Sequence, residues 1–99
     1  MVKYNSKLKF EWDELKNQEN IRKHQVSFKE AKSIFIDKKM IRFLDEEHSL
    51  DEDRFYAIGN SVFHNKLLVC FCERNENVIR IISARYADKE EKEEYYASY

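Results

Sequence analysis

At Met40 the spacing of apolar side chains changes from the helical period of 3.6 to the strand period of 2, which restricts this chain to a mixed architecture. Before the switch, Phe28, Ala31, Ile34 and Phe35 recur at helical spacing. Ser27 and Glu30 form an S-x-x-E capping box, with Val26 and Ala31 in the positions of a hydrophobic staple, so a helix is predicted to start at Phe28 and stop near Asp37. Ahead of it, Asp13 can cap a helix running to about His24, and Leu8 to Trp12 alternates well enough for a short strand. After the switch, four strands are read at about 40–45, 53–60, 66–74 and 77–85. His64-Asn65 and Asn75-Glu76-Asn77 supply residues that tolerate turns, which implies an antiparallel meander. Asp88 and Glu91 then suit the cap of a final helix carrying Tyr95, Tyr96 and Tyr99. The expected fold class is α+β: two N-terminal helices, a four-stranded antiparallel sheet with room for the short N-terminal strand, and a C-terminal helix.

With 99 residues, 42% of them hydrophobic, the chain is expected to form one domain over residues 1–99, with any site in a surface groove rather than a deep cavity. Gly59 is the sole glycine and proline is absent, so the chain has no Gly-rich loop to cradle a nucleotide's phosphates. Cys70 and Cys72 stand two apart on a strand, facing the same side, and read as reduced core thiols; neither they nor any C-x-x-C motif supply a metal site. No stretch approaches the roughly 18 apolar residues of a membrane span, and no signal-peptide core follows the first residues. A cytoplasmic protein without a membrane partner, cofactor or metal is expected.

Net charge is only -1, but its distribution is uneven: residues 1–44 hold 11 basic and 6 acidic side chains, whereas residues 45–54 hold 1 and 6. A basic surface with acidic flanks suits a polyanion, although interleaved charge also serves solubility. On the first helix, Lys16, Asn20 and Lys23 fall at i, i+4 and i+7 with His24 adjacent, giving a polar, basic face and the appearance of a surface element. His48, Glu52 and Arg54 belong to the dense acid/base run from Asp45 to Arg54, readable as a general acid/base pair or as a solvated loop. Arg74, Arg80 and Arg85 mark the later strands, where guanidinium groups suit a phosphate or pair with Glu73, Glu76 or the C-terminal glutamates. Strict period-2 counting puts Ile79, Ile81, Ser83 and Arg85 on one face and Arg80 on the other.

Together these residues resemble the BrnT toxin family. The resemblance is carried by Phe10-Glu11-Trp12-Asp13, then Lys16, Asn20, Lys23-His24, Val26-Ser27-Phe28, Glu30-Ala31, Phe35 and Asp37. It continues through His48-Ser49, Glu52, Arg54, Ile58-Gly59, Ser61 and Arg74, and closes on Arg80 to Arg85, Ala87, Glu91 and Tyr95. Two departures lie at turns: Gln25 stands where the family commonly has glycine, and Lys38 where proline is frequent. The resemblance implies a RelE-like fold and a metal-independent ribonuclease toxin of a type II toxin–antitoxin pair, which inhibits translation and growth. It also implies a BrnA-like antitoxin through which alone operator DNA is contacted. On this reading Arg54, Arg74 and Arg85 hold the scissile phosphate, His48 and Glu52, or His24, move protons, and Lys16, Lys23 and Arg80 contact RNA. The antitoxin is expected to cover the arginine groove. The alternative is a non-catalytic RNA- or DNA-binding or co-regulatory module that works only with its partner.

Overall fold

The computed structural model describes residues 8–49, 52–75 and 77–98. In chain order these form β1 (Lys9–Glu11), α1 (Glu14–His24), α2 (Phe28–Lys32) continued by a 3-10 turn (Ser33–Ile36), and β2 (Ile41–Asp45). A second 3-10 turn (Glu46–His48), β3 (Arg54–Asn60), β4 (Lys66–Asn75), β5 (Val78–Tyr86) and α3 (Lys89–Ala97) follow. The predicted turn residue Glu76, like Leu50, Asp51 and Tyr99, lies outside the described residues.

The strands form one five-stranded sheet in the order β1-β5-β4-β3-β2. The predicted meander forms its antiparallel part, and β1 adds to it in parallel, Phe10 opposite Ile79. The sheet is therefore mixed, because the path from β1 to β5 returns through the rest of the chain. One face buries Ala57, Leu67, Val69, Phe71, Ile79, Ile81 and Ala84 against α1, α2 and Ile34 and Phe35 of the 3-10 turn, with the Phe35 and Phe71 rings edge-on at 5.0 Å. The other face is covered over part of its length by α3, whose Tyr95 packs with Ile58, Leu68 and Ala87.

The helices start at the caps read from sequence, but the Ser27–Glu30 box is only half formed, because the Glu30 carboxylate turns inward to Ser61 and Asn65. The Asp13 carboxylate accepts from the backbone N–H groups of Leu15 (2.8 Å) and Lys16 (3.3 Å). Ser27 Oγ accepts from Glu30 N at 3.0 Å, and Asp88 and Glu91 form the full reciprocal box. The predicted second helix has the expected limits but tightens to 3-10 geometry after Lys32.

The reading of α1 as a purely surface helix needs correction. Asn20, placed on its basic face by sequence, is buried together with Asn17. The Asn20 amide donates to the carbonyls of Ala84 (2.8 Å) and Val26 (2.9 Å) and accepts from Ala84 N–H at 3.2 Å. Asn17 Oδ1 accepts from Phe28 N–H at 2.9 Å. A helix poor in apolar residues thus docks through amides, which satisfy backbone groups that neither β1 nor a helix reaches. The periodicity argument failed because it counts apolar residues, and this helix buries polar ones.

Gly59 has no room for a side chain, since a Cβ there would sit 2.9 Å from Ile34 Cβ. Glu30 and Asp37 are also internal joints. Glu30 accepts from Ser61 Oγ (2.7 Å) and Asn65 Nδ2 (2.9 Å), and Asp37 Oδ2 accepts from Asn60 N–H (2.8 Å) and Tyr95 Oη (2.6 Å).

Two substitutions test this account. Asn20→Ala leaves both polar groups of Ala84 unpaired and should lower unfolding free energy by about 3 kcal/mol in denaturant titrations; a loss below about 0.5 kcal/mol would contradict the amide lock. Gln25 holds left-handed backbone, φ 58°, at the end of α1, where a non-glycine residue is strained. Gln25→Gly should therefore raise stability by about 1 kcal/mol.

Candidate active site

Strand β5 does not keep strict alternation. Opposite β4, Arg80 pairs with Cys72, Ile81 with Phe71, Ser83 with Cys70 and Arg85 with Leu68, so Ile82 is an extra residue in a bulge. Arg80, Ser83 and Arg85 consequently share the α3-side face, contrary to the assignment from period-2 counting. Unbroken alternation would have driven Ser83 and Arg85 into the core against α1 and α2; the bulge gives that place to Ala84.

Cross-strand register organises this face into rows. One runs Asp45, Arg54, Cys72, Arg80 and Glu11, and the next Phe43, Tyr56, Cys70 and Ser83. Over the second row, and beside Leu68 and Arg85, lies an open groove of about 520 Å³. His24, from the end of α1, and Glu91, from the first turn of α3, complete its lining.

Arg85 is the fixed cation of the groove. Its Nη1 and Nη2 donate to the two oxygens of Glu91 at 2.9 and 2.8 Å, and Nη1 also reaches Tyr86 O at 3.1 Å. The hydrogen bonds to Glu91 raise the Arg85 pKa, keeping it charged throughout the ordinary pH range. Burial, then a hydrogen bond to Asp45, raises the Tyr56 phenol, so it remains protonated at neutral pH. Burial pushes the Cys70 thiol up to about 11, which leaves it an unreactive wall of the groove.

Asp45 is buried at the end of β2. His48 Nδ1 stands 2.8 Å from its Oδ2. Burial acts to raise the Asp45 pKa, but hydrogen bonds from Tyr56 and His48 outweigh it and hold the carboxyl below its usual range. Asp45 thereby links His48 to Tyr56.

The sequence-derived candidates separate into groups. His24 and Arg85 meet in the groove. Arg54 shares the face, half-buried, with no ion pair among the described residues, and its backbone N–H donates to Ser49 Oγ at 3.0 Å. His48 is exposed, outside the groove lining, and is linked to the groove's Tyr56 through Asp45. Glu52 and Arg74 pair with one another at 3.1 Å, both exposed and outside the groove. Arg80 is held by Glu11 at 2.9 Å and Lys23 by Glu19 at 2.8 Å, while Lys16 is exposed on α1. Glutamates pair Arg74, Arg80 and Arg85, but only Arg85 takes an expected partner, the C-terminal Glu91; Arg74 takes Glu52, Arg80 takes Glu11, and Glu73 is held by Arg42. Tyr56 and Ser83 were missed: Tyr56 was legible two residues after Arg54 on a strand, whereas Ser83 depends on the bulge. Among the described residues no three metal-ligating side chains converge.

The fold and groove define a small α+β protein that presents a buried-edged, arginine-bearing sheet face under its terminal helix. The model of the family described as ribonuclease toxin, BrnT, of type II toxin–antitoxin systems matches residues 12–91, and the chain belongs to that family. Among solved structures it is similar to the 1.1 Å crystal structure of the Brucella abortus ribonuclease toxin BrnT. The TM-score is 0.63 at 27% identity, over 83% of this chain and 99% of that one. No curated protein matches the sequence. Among the described residues no helix is long and apolar enough to cross a membrane.

The lowered carboxyl of Asp45 gives stability that is complete above the unfolded aspartate range, about pH 4, and is lost as pH falls through its lower folded value. The difference in unfolding free energy between the natural chain and Asp45→Asn should therefore be larger at about pH 5 than below about pH 4, shrinking as pH falls through the acid range. A difference unchanged through the acid range would refute the link.

Proposed function

We propose that this chain is an endoribonuclease whose groove positions an RNA phosphate on Arg85, and that the cleavage inhibits translation and growth. The carrying observation is the convergence of Arg85, His24, Tyr56 and Ser83 on one groove, with Arg54 on the same sheet face. Family membership supports the substrate class. Cleavage by the adjacent ribose 2′-hydroxyl supplies its own nucleophile, so the protein needs only to position the phosphate, neutralise its developing charge and move protons. No metal enters that scheme.

In the proposed reaction the 2′-oxygen forms a bond to phosphorus as the bond to the 5′-oxygen breaks. The 2′ proton passes to a groove base, and the departing oxygen gains a proton. Arg85 offers the phosphate the N–H groups that Glu91 leaves free, and Arg54 adds charge from the neighbouring row. His24 is the imidazole of the groove and would accept or return the proton, and the protonated Tyr56 on the same lining is a hydrogen-bond donor or acceptor. His48 acts through Asp45 as a positioning residue, and the cations Arg74, Arg80, Lys16 and Lys23, outside the groove lining, are the proposed further RNA contacts. The proposed setting is the cytoplasm, in one domain. The proposed neutraliser is a BrnA-like antitoxin, through which operator DNA is bound.

Purified chain incubated with RNA should cut it without added metal, and induced expression should arrest growth with RNA fragmentation. Folded Arg85→Ala should cut roughly 100- to 1,000-fold more slowly, the usual loss on removing a transition-state donor, and should not arrest growth. A folded natural chain that binds RNA but never cuts it at any pH would replace this reading with that of a binding module.

A further inference from the structure

We infer that the protein antitoxin docks on a second surface, the apolar patch of Ile36, Val62 and Phe63 beside α2, through a segment combining large apolar side chains with acidic ones. This rests on the reading that a protein antitoxin neutralises the chain, and is independent of how RNA is cut. Ile36, Val62 and Phe63 are 84%, 65% and 68% exposed. Single exposed apolar residues are ordinary, but these three line one depression of about 610 Å³.

The exposure is imposed by a well-tied loop. Ser61 Oγ donates to the buried Glu30 carboxylate at 2.7 Å and accepts from the N–H groups of Phe63 and Asn65, each at 3.2 Å. Val62 N–H donates to Ser33 Oγ at 2.9 Å, and Ser61 N–H to Asn65 O at 2.8 Å. Val62 and Phe63 are thus presented in a set geometry, which lowers the entropy lost when a partner covers them, and Phe63 has the character of an interface anchor.

Charge selects the occupant. The carboxylates lining the depression, Glu30 and Asp37, are engaged by Ser61, Asn65, Asn60 and Tyr95. Lys29 and Lys32, also on its lining, make no ion pair among the described residues. An occupant therefore meets apolar anchors with a positive rim. A second copy using the same patch would set these lysines against each other, and a phosphate backbone would leave the apolar side chains uncovered. An acidic, apolar protein segment meets both features.

The patch lies on the α2 side of the sheet and the groove on the α3 side, so the two are separable by substitution. The test titrates purified antitoxin, the product of the gene paired with this one, against the natural chain, Phe63→Ala and Lys29→Glu/Lys32→Glu. Phe63→Ala should weaken binding about 30-fold or more, as loss of an aromatic anchor does. The double lysine variant should weaken it about 10-fold or more and flatten its salt dependence, as loss of rim charge does. Both should keep the RNA cleavage of the natural chain.

Unchanged antitoxin affinity in both would overturn the inference and leave the arginine groove as the docking site. Loss of RNA binding in step with antitoxin binding would overturn it in favour of a nucleic-acid surface. A concentration-dependent dimer of the natural chain, abolished by Phe63→Ala, would assign the patch to a second copy. If the natural chain cuts no RNA while Phe63→Ala still releases the antitoxin, the nuclease reading fails and the docking surface stands.

Discussion

The amide of Asn20 holds the edge of β5 at the buried Ala84, and the geometry of the groove depends on that contact. Strand β1 pairs with β5 from Val78 to Arg80, and among the described residues no strand lies on that side of the second half of β5. A helix side chain completes it there, donating to and accepting from the same residue. Ala84 lies between Ser83 and Arg85, so the amide that anchors its backbone also fixes both groove residues. Four residues beyond Asn20 on the same helical face stands His24, which reaches the groove from the other direction. One buried asparagine thus sets the spacing between the histidine and the arginine of the candidate site.

The bulge at Ile82 is the companion of that contact. It allows β5 to give apolar side chains to the core at Ile79, Ile81 and Ala84 while Arg80, Ser83 and Arg85 share the opposite face. Without the extra residue, a guanidinium and a hydroxyl would enter the apolar layer under the helices, where neither would find adequate partners. The requirement to keep the core apolar and the arrangement of the groove are therefore satisfied by the same irregularity.

Much of the fold was legible because local signals agreed with the tertiary outcome. The caps at Asp13, Ser27 and Asp88, and the limits of the four meander strands, rest on patterns that involve neighbouring residues only. The resemblance to BrnT toxins also rested partly on residues that prove structural: Glu30, Asp37, Ser61 and Tyr95 form joints between elements. What sequence reading missed depends on distant parts of the chain. Asn20 looked solvent-facing because its partner lies 64 residues away, and Ser83 was placed on the wrong face because a bulge has no reliable local signature. Of the candidate site residues read from sequence, Arg85 and His24 line the groove, whereas Glu52 and His48, neighbours in sequence, engage separate partners in Arg74 and Asp45.

Glu91 joins the groove to the terminal helix through two demands on one carboxylate. Its Oε1 accepts from Asp88 N–H at 2.8 Å to close the cap of α3, and both of its oxygens grip Arg85. The helix is held at its other end by Tyr95, whose hydroxyl reaches Asp37 at 2.6 Å. A charge beside Arg85 keeps the guanidinium oriented before substrate arrives, since a planar fork held at both nitrogens has little freedom to turn away from the groove. The same pairing opposes an incoming phosphate, because Glu91 and the phosphate are both anions competing for one cation. Tight orientation of Arg85 and easy access to it are thus in tension, and the balance lies in how much of the fork remains free once Glu91 has taken its share.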